Sequence, residues 1–470
     1  MLKNNLVCLC VCLCVVVSEK VCYWNNNCQY QLYSSKTPYD TIRGDVRDYD
    51  APNCEAVSLW HLQRHGNRNP GDSVIASMKF INSLRDEIVT SYDEGRSQLC
   101  AQDVEAFRKF TWNSTMEQAA SYLTGQGYEE IYEIGSRIRQ RYPELMNGIE
   151  EDYYFRPTNE QRTITTGAAF IHGFREGTNL TDLILNAPLE KQDIIRPYIM
   201  CDRYQTEVKG GPALDQELQD YENSPPYLAI RDKVQQRLGI TTILTPEDIY
   251  SFYEFCRFYR SWSDVLRSPW CSVFTDEDLV VLEYRDDLRH YWRNGYGSWV
   301  NVYLGAPVLK DLFETFRDVV EGDRRKVTAY FTHDTMMEMA FCALGLFNDF
   351  VPLRGSTISE DRVWRTSQFS AFSTNLMAVL NKCRDSPSSP PEYRVQFLVN
   401  EKEVEICKPP GCSWQEFESR FQQYNNSNFD FCDPKFVVDF PEIAPSSASV
   451  NTTIVALIVI ALQASFLSWW

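Results

Sequence analysis

The stretch Trp60 to Pro70, WHLQRHGNRNP, gathers two histidines and two arginines directly behind a short apolar run, Ala56-Val57-Ser58-Leu59. Guanidinium forks match the oxygens of a phosphoryl group, and an imidazole among them can attack phosphorus or donate a proton. Arg64, His65 and Arg68 are therefore a candidate anion site with a nucleophile inside it. The bland alternative is an exposed basic loop, so more cationic groups must be found downstream. Two further clusters qualify. Arg162 stands ahead of the small residues Gly167, Ala168 and Ala169, and His333-Asp334 sets an imidazole beside a carboxyl group.

The elements that must position these groups are readable from periodicity. Val57 and Leu59 alternate with Ser58 and lead into Trp60, a strand that breaks into a loop at Gly66, Pro70 and Gly71. Val327, Ala329 and Phe331 alternate in the same way ahead of His333, and an amphipathic helix is expected from Met336 to Leu346. Tyr153 to Arg156 reads as a third strand, with a turn at Pro157 and Asn159 and a helix from Thr163. Chemistry at strand carboxyl ends is where open α/β sheets bind ligands. His61 is read as a strand residue and His172 as a packed histidine inside a helix. His290 is read as a non-catalytic neighbour of the charged run Arg285, Asp286, Asp287 and Arg289, and Met336, Met337 and Met339 as core filling.

Arg64, His65, Gly66, Arg68 and Pro70 fill the RHGxRxP signature, so the chain resembles the histidine acid phosphatases of the histidine phosphatase superfamily. The block Ser268 to Phe313, with SPWC, EY-x-x-DL and YW-x-x-GYG, resembles the multiple inositol polyphosphate phosphatases among them. The resemblance implies in-line attack by His65, with phosphate held by Arg64, Arg68, Arg162 and His333, and with Asp334 protonating the leaving alkoxide. It implies no metal and no cofactor. The usual His-Ala-Glu of that group is His333-Asp334-Thr335 here, as in ordinary acid phosphatases. Lys79, Arg85, Arg285 and Arg289 are candidates for the other phosphates of an inositol ring.

The implied substrates are inositol polyphosphates, including the hexakisphosphate, with 2,3-bisphosphoglycerate as a further possibility by family analogy. A broad-specificity acid phosphatase and an inactive surface binding protein are the competing readings. The expected fold is α/β, a doubly wound mixed sheet flanked by helices, with a mostly helical inserted domain. The catalytic unit is expected at 54–174 and 290–440, the insertion at 175–289, and an N-terminal arm at 19–53. Asp72 is a candidate cap for the next helix, Met116 to Tyr142 reads as helix broken at Gly125-Gly127, and Val363 to Cys383 as a helix and an edge strand. Tyr393 to Asn400 has the alternation of a hairpin strand.

A chain of 470 residues with 44% hydrophobic and 23% charged residues buries a large core, and 26 Tyr with 26 Phe argue against disorder. The net charge of −18 speaks against nucleic acid and requires a local basic pocket for any highly anionic substrate. The apolar run Leu6 to Val17 behind Lys3 reads as a secretory signal peptide over 1–18. Of sixteen cysteines, Cys8, Cys10, Cys12 and Cys14 lie in that run, and the twelve that remain imply disulfides of open pairing. Sequons at Asn113, Asn179, Asn425 and Asn451 agree with that route. Residues 441–453 read as a linker, and the apolar 454–470 as a removable lipid-anchor signal in preference to a spanning helix, which places the protein on the extracellular face of the membrane or outside the cell.

Overall fold

The computed structural model describes residues 22–23, 30–49, 51–191, 193–262, 268–384, 386, 388–407 and 411–436. The expected signal peptide, linker and anchor signal lie outside them, as does Cys28. Among the described residues no helix is long and apolar enough to cross a membrane.

The strands are β1 (Cys54–Arg64), β2 (Tyr153–Pro157), β3 (Val327–Thr332), β4 (Asn375–Cys383), β5 (Glu392–Val399), β6 (Lys402–Glu403) and β7 (Cys412–Ser413). They form one sheet in the order β2-β3-β1-β4-β5-β6, with β7 on β5. β2, β3 and β1 run parallel, while β4 and β5 are antiparallel additions, which gives the expected mixed sheet. β1 is buried on both faces: Leu59 belongs to one apolar core, and Trp60 and Leu62 to the other. Sheets covered by helices on both sides produce such near-continuous burial.

On one face lie the helices Gly125–Arg141 and Gln161–Arg175, whose Ile131, Ile134, Ile138, Phe170 and Phe174 share a core with Ala329 and Phe331. On the other, Trp299–Glu321 and Asp334–Leu344 pack Leu304, Val308 and Phe341 under Trp60 and Leu62. The helices of the insertion, among them Pro212–Glu222, Pro225–Leu238 and Pro246–Trp262, join this second core through Tyr221, Val234 and Phe252. One helix, Asp276–Asn294, runs unbroken across the expected boundary at residue 289.

Two expectations need correction. β4 is an interior strand between β1 and β5, not an edge, because its residues are buried on both faces and Cys54 and Cys383 face each other and are joined as a disulfide. The glycines at 125 and 127 do not break a helix but begin one, with the Thr124 hydroxyl accepting from the Gly127 amide at 3.1 Å. The reason is a close approach. A Cβ on Gly127 would lie 2.1 Å from the Asn67 carbonyl oxygen, and one on Gly66 would lie 2.4 Å from that of Gly127. Gly127→Ala should therefore cost about 1–3 kcal/mol by overpacking, read as a lowered urea midpoint, and an unchanged midpoint would contradict the contact.

The other disulfides are Cys22–Cys100, Cys201–Cys432, Cys256–Cys271 and Cys407–Cys412, and Cys342 is a buried free thiol. The Cys432 bridge ties the end of the described chain to the insertion, while Cys407–Cys412 closes the chain just past the β5–β6 hairpin. That hairpin turns at Asn400 and Glu401, both at positive φ (51° and 61°), the backbone of a tight two-residue turn. The buried Glu401 carboxylate is held there by Arg137 at 2.7 and 2.6 Å and by the Tyr39 hydroxyl at 2.9 Å.

Candidate active site

The parallel register of β1 on β3 places Arg64 opposite Thr332, so the two strands end level and their next residues, His65 and His333, emerge side by side. The His65 amide donates to the Thr332 carbonyl at 2.9 Å, and the two imidazole centroids are 5.6 Å apart. β2 ends one strand further on. Its Thr158 amide bonds to the Phe331 carbonyl, and the Gln161–Arg175 helix then begins with Arg162 in its first turn. The six residues singled out from the sequence thus meet at the carboxyl ends of three adjacent parallel strands.

Arg64 is fully buried. Its Nη1 donates to the carbonyls of Ser35 and Ser370, both at 2.8 Å, and Nη2 reaches Asp334 Oδ2 at 3.1 Å. Arg162 donates from Nη1 to Glu160 at 2.8 Å and sets Nη2 3.3 Å from His333 Nδ1, while His333 Nε2 lies 3.1 Å from the Thr158 hydroxyl. Arg68 is half-buried, with its guanidinium 5.8 Å from the Phe258 ring of the insertion. The insertion also holds the loop directly, since the Asn67 side-chain amide donates to the Ser261 carbonyl.

These cations crowd one another. Arg68 is pushed down to about 10 by burial and by the neighbouring Arg162 and Arg64. Burial, then Arg64, Arg162, Arg68 and His333, hold the His65 imidazole well below its ordinary value, so it is neutral. Burial and the guanidiniums of Arg162 and Arg196 do the same to His333. Nδ1 of His65 lies 2.9 Å from the Gly66 carbonyl, which can only accept, so the ring proton sits on Nδ1 and the Nε2 lone pair is left for attack. Asp334 opens the Asp334–Leu344 helix, where the peptide dipole favours an anion. Burial raises its carboxyl, but the opposing charges, led by the Arg64 guanidinium, more than offset this and hold it well below the usual carboxylate range. A group of cations that depress each other's protonation, around one neutral nucleophile, is what a bound dianion would relieve.

Residues 58–400 match the Histidine phosphatase superfamily (branch 2). The chain belongs to this superfamily. A protein named multiple inositol polyphosphate phosphatase 1 from Drosophila melanogaster is 28% identical over 436 residues, covering 89% of this chain and 91% of the relative. The human protein of that name is 25% identical over 75% of this chain and 76% of its own length. An acid phosphatase from Schizosaccharomyces pombe is 28% identical over 78% and 80%. Among solved structures, the phytase from D. castellii superposes with a TM-score of 0.70 at 16% identity, covering 86% of this chain and 87% of that one. The Bifidobacterium longum multiple inositol polyphosphate phosphatase complexed with inositol hexasulfate gives 0.63 at 16% identity, covering 86% and 100%. The shared fold is that of the superfamily.

Several residues next to the site were not among the sequence candidates. Lys36 comes from the N-terminal arm, 7% exposed, with its ammonium 2.9 Å from the Ser35 hydroxyl and 5.6 Å from the Phe258 ring. Arg196 pairs with the same Glu160 that holds Arg162. Glu130, pushed up to about 7 by burial, accepts from the Asn67 amide and the Ser373 hydroxyl. Conversely, Lys79 pairs with Glu117 on the surface, Arg85 with Asp86, and the buried Arg285 with Glu222, so these three are engaged away from the site. Arg289 lies on the helix Asp276–Asn294, and its charge acts on the buried Asp286. His61 is a strand residue, as expected, stacked on Phe170 and pushed down to about 4 by burial. His172 is on the exposed side of its helix, with its ring edge-on to Tyr132 at 5.0 Å and Nδ1 3.0 Å from the Tyr128 hydroxyl.

Lys36 is pushed down to about 7, first by burial and then by Arg257, so it loses its proton as the pH rises through neutrality. A bound dianion stabilises the charged form, so sulfate, whose own charge is constant there, should bind more weakly from pH 6 to 8.5. In Lys36→Met that decline should flatten in calorimetric titration, and an equal decline in both proteins would remove Lys36 from the anion site.

Proposed function

We propose that the protein is a phosphatase that hydrolyses phosphate monoesters of inositol polyphosphates through a phosphohistidine on His65. The observation that carries the reading is the neutral His65 imidazole, tethered through Nδ1 at 2.9 Å from the Gly66 carbonyl, among Arg64, Arg68, Arg162 and His333. Nε2 of His65 attacks phosphorus as the bond to the leaving oxygen breaks, and Asp334 gives that oxygen its proton. In the second step the Asp334 carboxylate takes a proton from water, the water oxygen bonds to phosphorus, and the phosphorus–nitrogen bond breaks to return His65. The low proton affinity of Asp334 sets the order of events. The phosphoryl charge must arrive first, offsetting Arg64 and Lys36, before the carboxyl holds the proton it will donate.

The substrate class is supported by relatives that bear the name multiple inositol polyphosphate phosphatase over most of this chain's length. A broad acid phosphatase is the second reading, supported by the S. pombe acid phosphatase and by Asp334-Thr335 where that group has Ala-Glu. Phosphate release from inositol hexakisphosphate and from an aryl phosphate, between pH 4 and 8 with His65→Ala as control, separates them. Preference for the inositol substrate supports the first reading. Equal or better turnover of the aryl ester overturns it for the second, and no release from either leaves a binding protein. Five disulfides among the described residues support an oxidising, extracellular setting. Lipid anchorage through 454–470 is part of the proposal, and release of activity from cell surfaces by a phosphatidylinositol-specific phospholipase tests it.

A further inference from the structure

A cavity of about 560 Å³ opens beside the active site, a volume suited to a small molecule. One wall is the segment 193–200, which is fastened to the catalytic edge of the sheet. The Ile195 carbonyl accepts from the Thr332 hydroxyl at 2.6 Å, one residue before His333. The buried Asp193 stiffens that segment by accepting from the Ile195 amide at 3.1 Å and from Arg156 at 2.5 Å. Arg196, also in the lining, shares the Glu160 carboxylate with Arg162, so the cavity lies one carboxylate away from a phosphate held by Arg162. Phe429 supplies a second wall, and the Cys201–Cys432 bridge ties the two together.

The lining decides what the cavity takes. Leu189, Ile199 and Met200 line it with Phe429, although they are 48%, 43% and 63% exposed. Among the described residues its charged side chains are two acidic and two basic, Glu190 and Asp193 against Lys191 and Arg196. Asp193 is paired with Arg156, and Arg196 with Glu160. A cavity without an excess of positive charge does not select a polyphosphate, whereas flexible aliphatic side chains adapt to a hydrocarbon. We propose that this cavity is a subsite for an alkyl group, so that the protein also hydrolyses phosphate monoesters of straight-chain alcohols. The phosphoryl group sits among Arg64, Arg68, Arg162 and His333, and the chain lies on Ile199, Met200 and Phe429. His65 bonds to phosphorus as the ester bond breaks, the alkoxide takes the Asp334 proton and leaves as the alcohol, and water then releases phosphate from His65. Removal of each methylene from water supplies the preference.

The inference rests on His65 as the nucleophile but not on the inositol substrate, and the experiment keeps the two apart. Alkylphosphonates carry the dianion and resist hydrolysis, so calorimetric titration of the full chain with methyl-, butyl- and hexylphosphonate reads the subsite directly. Affinity should rise about two- to fourfold for each added methylene. Met200→Asp, at an exposed position outside the core, should remove most of that gain, and Ile243→Asp, 85% exposed elsewhere on the insertion, should keep it. In wild type, kcat/KM on methyl, butyl and hexyl phosphate should rise in the same order. Equal affinities for the three phosphonates overturn the inference, and so does a gain that Met200→Asp retains in full. A gain in binding without phosphate release from hexyl phosphate, while inositol hexakisphosphate is hydrolysed, overturns the alkyl activity. No release from either ester removes the underlying phosphatase reading, and the inference with it.

Discussion

His65→Ala should abolish turnover, by on the order of 10⁴-fold or more, while the protein still binds an inorganic dianion. Loss of a covalent nucleophile removes a whole reaction path and leaves only what binding and electrostatics provide. The binding half of the prediction follows from how the cations are held. Arg64 is fixed by the carbonyls of Ser35 and Ser370 and by Asp334, and Arg162 by Glu160, so neither depends on the His65 ring for its place. Removal of the imidazole also leaves room at the phosphorus position. Acid-quenched wild type incubated with a labelled substrate should carry phosphate on His65 that is stable in base and lost in acid, and His65→Ala should carry none. Label on another residue, or retained turnover in the variant, would exclude the phosphohistidine path.

Asp334→Asn should slow hydrolysis of an alkyl phosphate by about 10²–10⁴-fold, the span for loss of a positioned general acid. The same change should matter far less for an aryl phosphate whose leaving phenolate needs no proton. The Asn side chain keeps one acceptor oxygen, for Arg64 Nη2, which now reaches Oδ2 at 3.1 Å, while its amino group replaces the Oδ1 that accepts from the Thr335 amide at 2.9 Å, so the comparison of the two esters is what isolates the chemical step. Equal losses on both substrates would assign Asp334 to phosphate binding or to support of Arg64, not to proton transfer. The pH profile carries a second sign. Because Asp334 is held well below the usual range, its carboxylate contributes stability above the unfolded value that is lost as pH falls through the folded one. Wild type should therefore lose more stability than Asp334→Asn on acidification below about pH 4.

Much of this site was legible because its parts are local. Period-two alternation at Val57-Leu59 and at Val327-Ala329-Phe331 located β1 and β3, and their chemistry follows at the first residue past each strand. Residues whose role depends on tertiary partners were not. Lys36 sits in a polar arm with no periodicity, and only folding places it beside Phe258, more than two hundred residues on. Lys79 has the look of a free cation in sequence, yet Glu117 neutralises it. Glu338 and His290 read as one residue on a Met-rich helix and one on a charged helix, and nothing short of helix packing brings them within 2.9 Å. β4 was taken for an edge because a single apolar run does not reveal how many neighbours it has, and the β5 partner that makes it interior follows a polar stretch at 384–391.

Arg64 donates hydrogen bonds to the carbonyls of Ser35, near the start of the described chain, and of Ser370, far along it, and β4 pairs with β1 across more than three hundred residues. During synthesis, β1 and the His65 loop leave the ribosome long before the strand and the carbonyl that complete them. Pairings so distant in sequence form late and slowly. The nascent chain should thus be catalytically silent until Ser370 and β4 have emerged, so a chain cut short before them carries the His65 loop without the carbonyl and the strand that complete the site.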